Sequence, residues 1–155
     1  MKMNAREDVE APIEFVYQQI TDFQAFERRA MRRGAEVLRV DDLKADGPGM
    51  AWDITFMLRG KQREVQLGLA RLDPPNGLTM ASRSPSMGGE LVVDLVALSR
   101  NRTRMSVNIE LVPKNLTARL LVQSMKLARK SLTRRLRKRV NEYAAEMQDR
   151  YSRAS

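Results

Sequence analysis

Hydrophobic and polar residues alternate in short runs from Gly49 to Val112, then recur at intervals of three and four from about Leu116 to Tyr151. The first pattern predicts strands and the second predicts one long amphipathic helix. The helical stripe comprises Ala118, Leu121, Val122, Met125, Ala128, Leu132, Leu136, Val140, Tyr143 and Met147. A single stripe of this kind is buried against a partner, and the preceding sheet is the obvious one. A sheet wrapped around one helix leaves a hollow, so the pattern points to a binding cavity more than to a catalytic machine.

The rest of the chain fits around this pair of patterns. Met1 to Glu10 alternates weakly and reads as an edge strand. Pro12 suits the first turn of a helix carrying Ile13, Val16, Tyr17 and Ile20 on one face. Asp22 is placed to cap a second short helix with Phe23, Phe26 and Ala30, and Gly34 suits its end. Glu36 to Val40 reads as a strand, and Asp41 to Gly49 as a polar loop. Trp52, Ile54, Phe56 and Leu58 alternate with polar or exposed positions, and Val65, Leu67 and Leu69 continue the pattern after a turn at Gly60-Lys61. Asp73-Pro74-Pro75-Asn76-Gly77 is the strongest turn signal. Leu78 to Arg83, Leu91 to Leu98 and Met105 to Leu111 are further strands, and Asn115 is placed to cap the last helix. Short polar turns between strands predict an antiparallel meander, and the whole is an α+β chain.

With 155 residues and 43% hydrophobic composition, one domain spanning 1–155 with one core is expected. The charged N-terminal stretch lacks the apolar run of a signal peptide, and no segment has the apolar length of a membrane span, so a cytoplasmic location is expected. The chain has neither Cys nor His. That excludes disulfides, a thiolate nucleophile, a Cys- or His-based zinc site and imidazole acid–base chemistry. No metal and no cofactor is expected. The formal charge of +9 is uneven: from Leu116 to Ser155 there are 11 Lys or Arg against 3 Asp or Glu.

The order strand, two short helices, meander and long C-terminal helix is that of the helix-grip fold, here a curved antiparallel sheet of about six or seven strands around that helix. Glu10-Ala11-Pro12-Ile13-Glu14-Phe15-Val16-Tyr17, followed by Thr21-Asp22-Phe23, resembles the opening of the START-like (SRPBCC) superfamily, in its polyketide cyclase/dehydrase and lipid-transport branch. The turn at Asp73 is similar to one common before a central strand in that group. Phe26 stands near the place where the group often has a Trp. The resemblance implies a deep hydrophobic cavity between sheet and last helix. It also implies a lipid, polyketide, quinone or similar ligand, and in some members cyclisation chemistry. It carries no catalytic motif onto this chain.

Parity points Trp52, Ile54, Phe56, Val65, Leu67, Leu69, Met80, Val107 and Ile109 towards the helix, some as core and the rest as ligand-binding lining, with Met125 opposite them. Ten methionines suit a pocket tolerant of varied apolar ligands, or simply fill gaps. Arg129 falls about 40° from Met125 on an ideal helix, inside the stripe. It either meets a ligand carboxylate or phosphate, or snorkels to water or an internal acid. Asp94 and Arg83 are the other candidates. Asp94 points outward by parity, but a one-residue bulge would turn it inward as a general base for an aldol-type cyclisation. Whether the chain is an enzyme stays open.

The basic run from Arg129 to Arg139 reads as a solvated helix face that attracts anionic lipid headgroups. Nucleic acid is not expected, because stacking aromatics are lacking. Leu116, Leu120 and Leu127 form a second apolar strip opposite Met125, suited to a homodimer contact, to an anionic membrane surface, or to cover by loops.

Overall fold

A computed structural model describes residues 1–155. The elements run β1 (Lys2–Val9), α1 (Ile13–Ile20), α2 (Phe23–Arg32), β2 (Glu36–Arg39), β3 (Ala51–Leu58), β4 (Lys61–Asp73), β5 (Gly77–Arg83), β6 (Met87–Ser99), β7 (Arg102–Pro113), α3 (Leu116–Leu127) and α4 (Arg129–Ala154). All seven strands form one antiparallel sheet in the order β1-β7-β6-β5-β4-β3-β2. The α+β helix-grip architecture is therefore the one the patterning anticipates. A bulge between Leu69 and Arg71 interrupts β4, and another between Ala97 and Ser99 interrupts β6. Bulges bend strands and raise local twist, which helps this sheet curve.

Local chemistry explains the element ends. Asp22 accepts the Ala25 N–H at 3.1 Å and Asn115 accepts the Ala118 N–H at 2.9 Å, so α2 and α3 each begin on a side-chain cap. The β3–β4 turn is Arg59-Gly60, one residue earlier than Gly60-Lys61. Both residues have positive φ, 53° and 75°. That is the two-residue turn whose twist matches a hairpin, and it places an arginine where Gly, Asn or Asp is usual.

The C-terminal helix is not one rod. It breaks at Ala128 (φ −98°, ψ 16°), which separates α3 from α4. The break serves the packing. It lets α3 lie on β7 and α4 on β1, and Arg129 opens α4 at the surface, donating to the Lys2 carbonyl at 3.2 Å. Burying an unpaired guanidinium would cost several kcal/mol or more.

Beyond the break α4 runs alongside β1. Asn141 donates to Glu7 Oε1 at 3.2 Å, and Gln148 Oε1 accepts the Glu10 N–H at 3.0 Å. Val140, Ala144 and Met147 of α4 join Val9, Val16, Met50, Trp52, Leu69 and Met105 in the core. Phe23 and Phe26 pack on the Trp52 ring at 5.7 and 5.5 Å, and the indole N–H donates to Glu27 Oε1 at 3.2 Å. Thr103 is fully buried yet satisfied, donating to the Ala11 carbonyl at 2.8 Å. Ala118 and Val122 of α3 are buried outside that core cluster.

Candidate functional site

The inward face of the sheet has two unlike ends. At the α1–α2 end its residues are closed off: Leu78, Met80, Val93, Leu95, Met105 and Val107 are all buried. At the α3 end the same parity stays half-buried: Ile54, Phe56, Leu58, Val65, Leu67, Leu91, Ile109 and Leu111. Strand pairing sets these side by side. Trp52, Leu67, Ser82, Gly89 and Leu111 form one cross-strand row, Ile54 and Val65 the next, and Phe56 and Arg63 the one nearest the hairpin tip.

Two small residues lower the floor of this trough. Gly89 sits opposite Ser82, and a Cβ added to it would lie 2.4 Å from Ser82 Oγ. A larger side chain there would force the serine aside.

Helix α3 borders this face at β7 and at the hairpin tip. It turns Ala118, Leu121, Val122 and Met125 away from solvent, packs on β7, and reaches the β3–β4 hairpin where Arg59 Nη1 donates to Ser124 Oγ at 2.7 Å. Leu116, Leu120 and Leu127 face outward and are 71%, 58% and 93% exposed.

The sequence-derived site residues divide accordingly. Ile54, Phe56, Leu67, Ile109 and Met125 are half-buried at the trough. Trp52, Leu69, Met80 and Val107 are core side chains. Arg129 is exposed on a backbone carbonyl, the snorkelling outcome. Asp94 is exposed too. It pairs with Gly77 and Ser106, and the β6 bulge lies beyond it, so nothing turns it inward as a base. Arg83 lies on the outer face beside Gln66, at a cleft of about 470 Å³ that also includes Glu36, Asp53 and Glu64. No closed chamber is among the chain's principal clefts; those open on the outer sheet face or between α2 and α4.

Sequence reasoning missed Arg63. Its alternation with Val65, Leu67 and Leu69 places it on the inward face, opposite Phe56, and period-two counting would have included it. Its Nε is buried without a hydrogen-bond partner, the one buried side-chain N or O atom in the chain so left. Such an orphan donor is costly and calls for a partner. The other inward arginine, Arg39, is satisfied: it pairs with Asp41 and lies over the Trp52 ring at 5.7 Å.

Ionisation elsewhere follows local structure. The Arg39 guanidinium, with the Ala51 and Leu43 N–H groups, holds the Asp41 carboxyl well below its usual range. Burial pushes the Tyr143 hydroxyl up while it donates to the Gln19 carbonyl at 3.2 Å. No three Asp or Glu side chains cluster as a metal site would need, and no helix is long and apolar enough to cross a membrane.

No protein-family model matches the sequence, and no curated protein does. Solved structures match along nearly the whole chain. A Streptomyces protein, the Zhui aromatase/cyclase, is 14% identical over 97% of this chain and 94% of its own, with a TM-score of 0.69. A Thermus thermophilus protein is 16% identical over 100% and 99%, with a TM-score of 0.66. A START superfamily protein from Mycobacterium smegmatis is 13% identical over 88% and 97%, with a TM-score of 0.56. At these identities the likeness is one of backbone, and what it establishes is that this chain has the START-like helix-grip fold.

Proposed function

We propose that the chain binds a hydrophobic or amphipathic small molecule, such as a lipid, polyketide or quinone, in the trough between the inward sheet face and α3, and does so in the cytoplasm. One observation carries this reading: apolar side chains buried at one end of the inward face are left half-buried at the other, where Ser82 and Gly89 remove bulk. Covering such side chains with a ligand gains roughly 25 cal/mol per Å² before association costs. Arg63 supplies the polar anchor, its orphan Nε donating to a carboxylate or carbonyl oxygen of the ligand.

The test is a titration with palmitate and with hexadecanol, on the native chain and on Arg63→Met. Tight palmitate binding that falls about tenfold in the variant, with hexadecanol unchanged, supports both the trough and the anchor. Loss of neither ligand's affinity removes Arg63 from the site. Failure of both to bind the native chain, with no lipid retained in native mass spectrometry, ends the carrier reading.

Cyclisation chemistry in the same trough would have to use Arg63 to hold an enolate oxygen, since Asp94 lies outside. A membrane-docking role has its own support: the outward leucines of α3 adjoin a stretch, Leu116 to Asn141, with nine Lys or Arg and no Asp or Glu. Salt-sensitive binding to phosphatidylserine vesicles, lost in Leu120→Ser plus Leu127→Ser, is expected on that role. A concentration-dependent dimer with no vesicle binding would assign the strip to self-association instead.

A further inference from the structure

Four arginines of α2 and its C-terminal end face one of α4 across a second, separate opening. Arg28, Arg29, Arg32 and Arg33 meet Arg150 at a cleft of about 480 Å³. Its lining includes one carboxylate, Glu146, and one apolar residue, Ala25. Glu146 is already taken by Arg29 at 2.9 Å, and Arg29 lies over the Tyr143 ring at 4.6 Å. Arg150 donates to Gln19 Oε1 at 2.9 Å. Arg28, Arg32 and Arg33 take part in none of the chain's ion pairs.

Five guanidinium groups against one carboxylate leave this cleft strongly positive. The arrangement opposes local stability: Arg28 with Arg32, and Arg29 with Arg33, are like charges one helical turn apart. The carbonyl end of α2 offsets part of that repulsion at Arg29 and Arg32, the basic residues of its last turn. Convergence of two elements on one concave space concentrates positive potential where an anion can sit.

The lining chemistry narrows the anion. Every cation is arginine, whose planar fork matches phosphoryl oxygens two at a time. A peptide would need apolar anchor pockets, and Ala25 alone does not make one. A single-stranded nucleic acid would need free aromatic faces, and the nearby Tyr143 ring is covered by Arg29. We propose that the α2–α4 arginine cleft is a binding site for a compact small molecule carrying two or more phosphoryl groups. This site is independent of the trough, which lies on the inward sheet face towards α3.

Isothermal titration with tripolyphosphate, at constant ionic strength, tests it on the full chain. Tripolyphosphate is expected to bind at least tenfold more tightly than orthophosphate or sulfate. Arg32→Ser plus Arg150→Ser is expected to weaken it tenfold or more, as is Arg28→Ser plus Arg33→Ser. Lys130→Ser plus Arg137→Ser removes the same charge from α4 outside the cleft and is expected to change affinity less than twofold. All six residues are exposed, and a melting temperature without ligand no lower than that of the native chain confirms that each variant is folded. Equal weakening in the outside variant would reduce the effect to net charge and overturn the proposal. So would tripolyphosphate binding no tighter than sulfate, or tighter binding of a single-stranded oligonucleotide that tripolyphosphate fails to displace.

Discussion

Arg59, at the tip of the β3–β4 hairpin, donates through Nη1 to Ser124 Oγ on α3 at 2.7 Å, from a backbone held at φ 53°. A left-handed conformation costs a non-glycine residue about 1–2 kcal/mol. The residue that strains the turn is thus the one that ties α3 across the trough. Arg59→Asn is expected to relax the turn and release α3. Global stability in urea should change by no more than about 1 kcal/mol, because relief of strain offsets a lost exposed hydrogen bond. Amide exchange in Leu116–Leu127 should accelerate several-fold while exchange in α4 is unchanged, since α3 lies outside the core cluster that holds α4. Equal acceleration in both helices would show that they open together.

Leu67 and Leu69 point the same way on β4 and are expected to behave differently. Leu69 is 2% exposed within the core, and Leu69→Ala should cost about 2–5 kcal/mol, read as a lower denaturation midpoint at unchanged slope. Leu67 is half-buried at the trough, so Leu67→Ala should cost about 1 kcal/mol and chiefly weaken binding of an apolar ligand. Equal stability losses would place Leu67 in the core and contradict the two-ended face.

Gly77 begins β5 at φ 150°, and a Cβ there would lie 1.9 Å from the Val93 carbonyl oxygen. Backbone must move to admit any side chain. Gly77→Ala is expected to cost about 3 kcal/mol or more, lowering the melting temperature by roughly 6–12 °C for a chain of this size. Gly34 has nothing within 4 Å of a built Cβ, so Gly34→Ala should show only the smaller cost of its φ of 89°.

Asp41 holds the β2–β3 loop by pairing with Arg39 and accepting the Ala51 and Leu43 N–H groups at 2.9 and 3.0 Å. Its folded pKa lies below the ordinary 3.8, so the unfolded chain takes up the proton first. The stabilisation is therefore complete above that value and is lost progressively as pH falls below about 4. Asp41→Asn should lower the urea midpoint at pH 6 and flatten its decline between about pH 4 and pH 2. A decline as steep as the native one would mean that other carboxylates govern acid unfolding.

Sequence periodicity determined a great deal here. A period of two is a statement about which side of a pleated strand each residue takes, and a period of 3.6 about one face of a helix. Strand order in the chain, the two caps at Asp22 and Asn115, and the outward strip Leu116, Leu120 and Leu127 were all readable, because each depends on neighbours a few residues away. The same counting held Arg63 on the inward face. Only the tertiary structure decided the rest. Whether an inward residue is core, like Trp52, or trough, like Phe56, depends on what covers it from helices distant in sequence. The break at Ala128 lets α3 pack on β7 and α4 on β1, strands whose neighbourhood neither helical segment encodes. The arginine cleft needs α2 near α4; Phe23 of α2 and Val140, Ala144 and Met147 of α4 share one core, a convergence invisible in either segment alone.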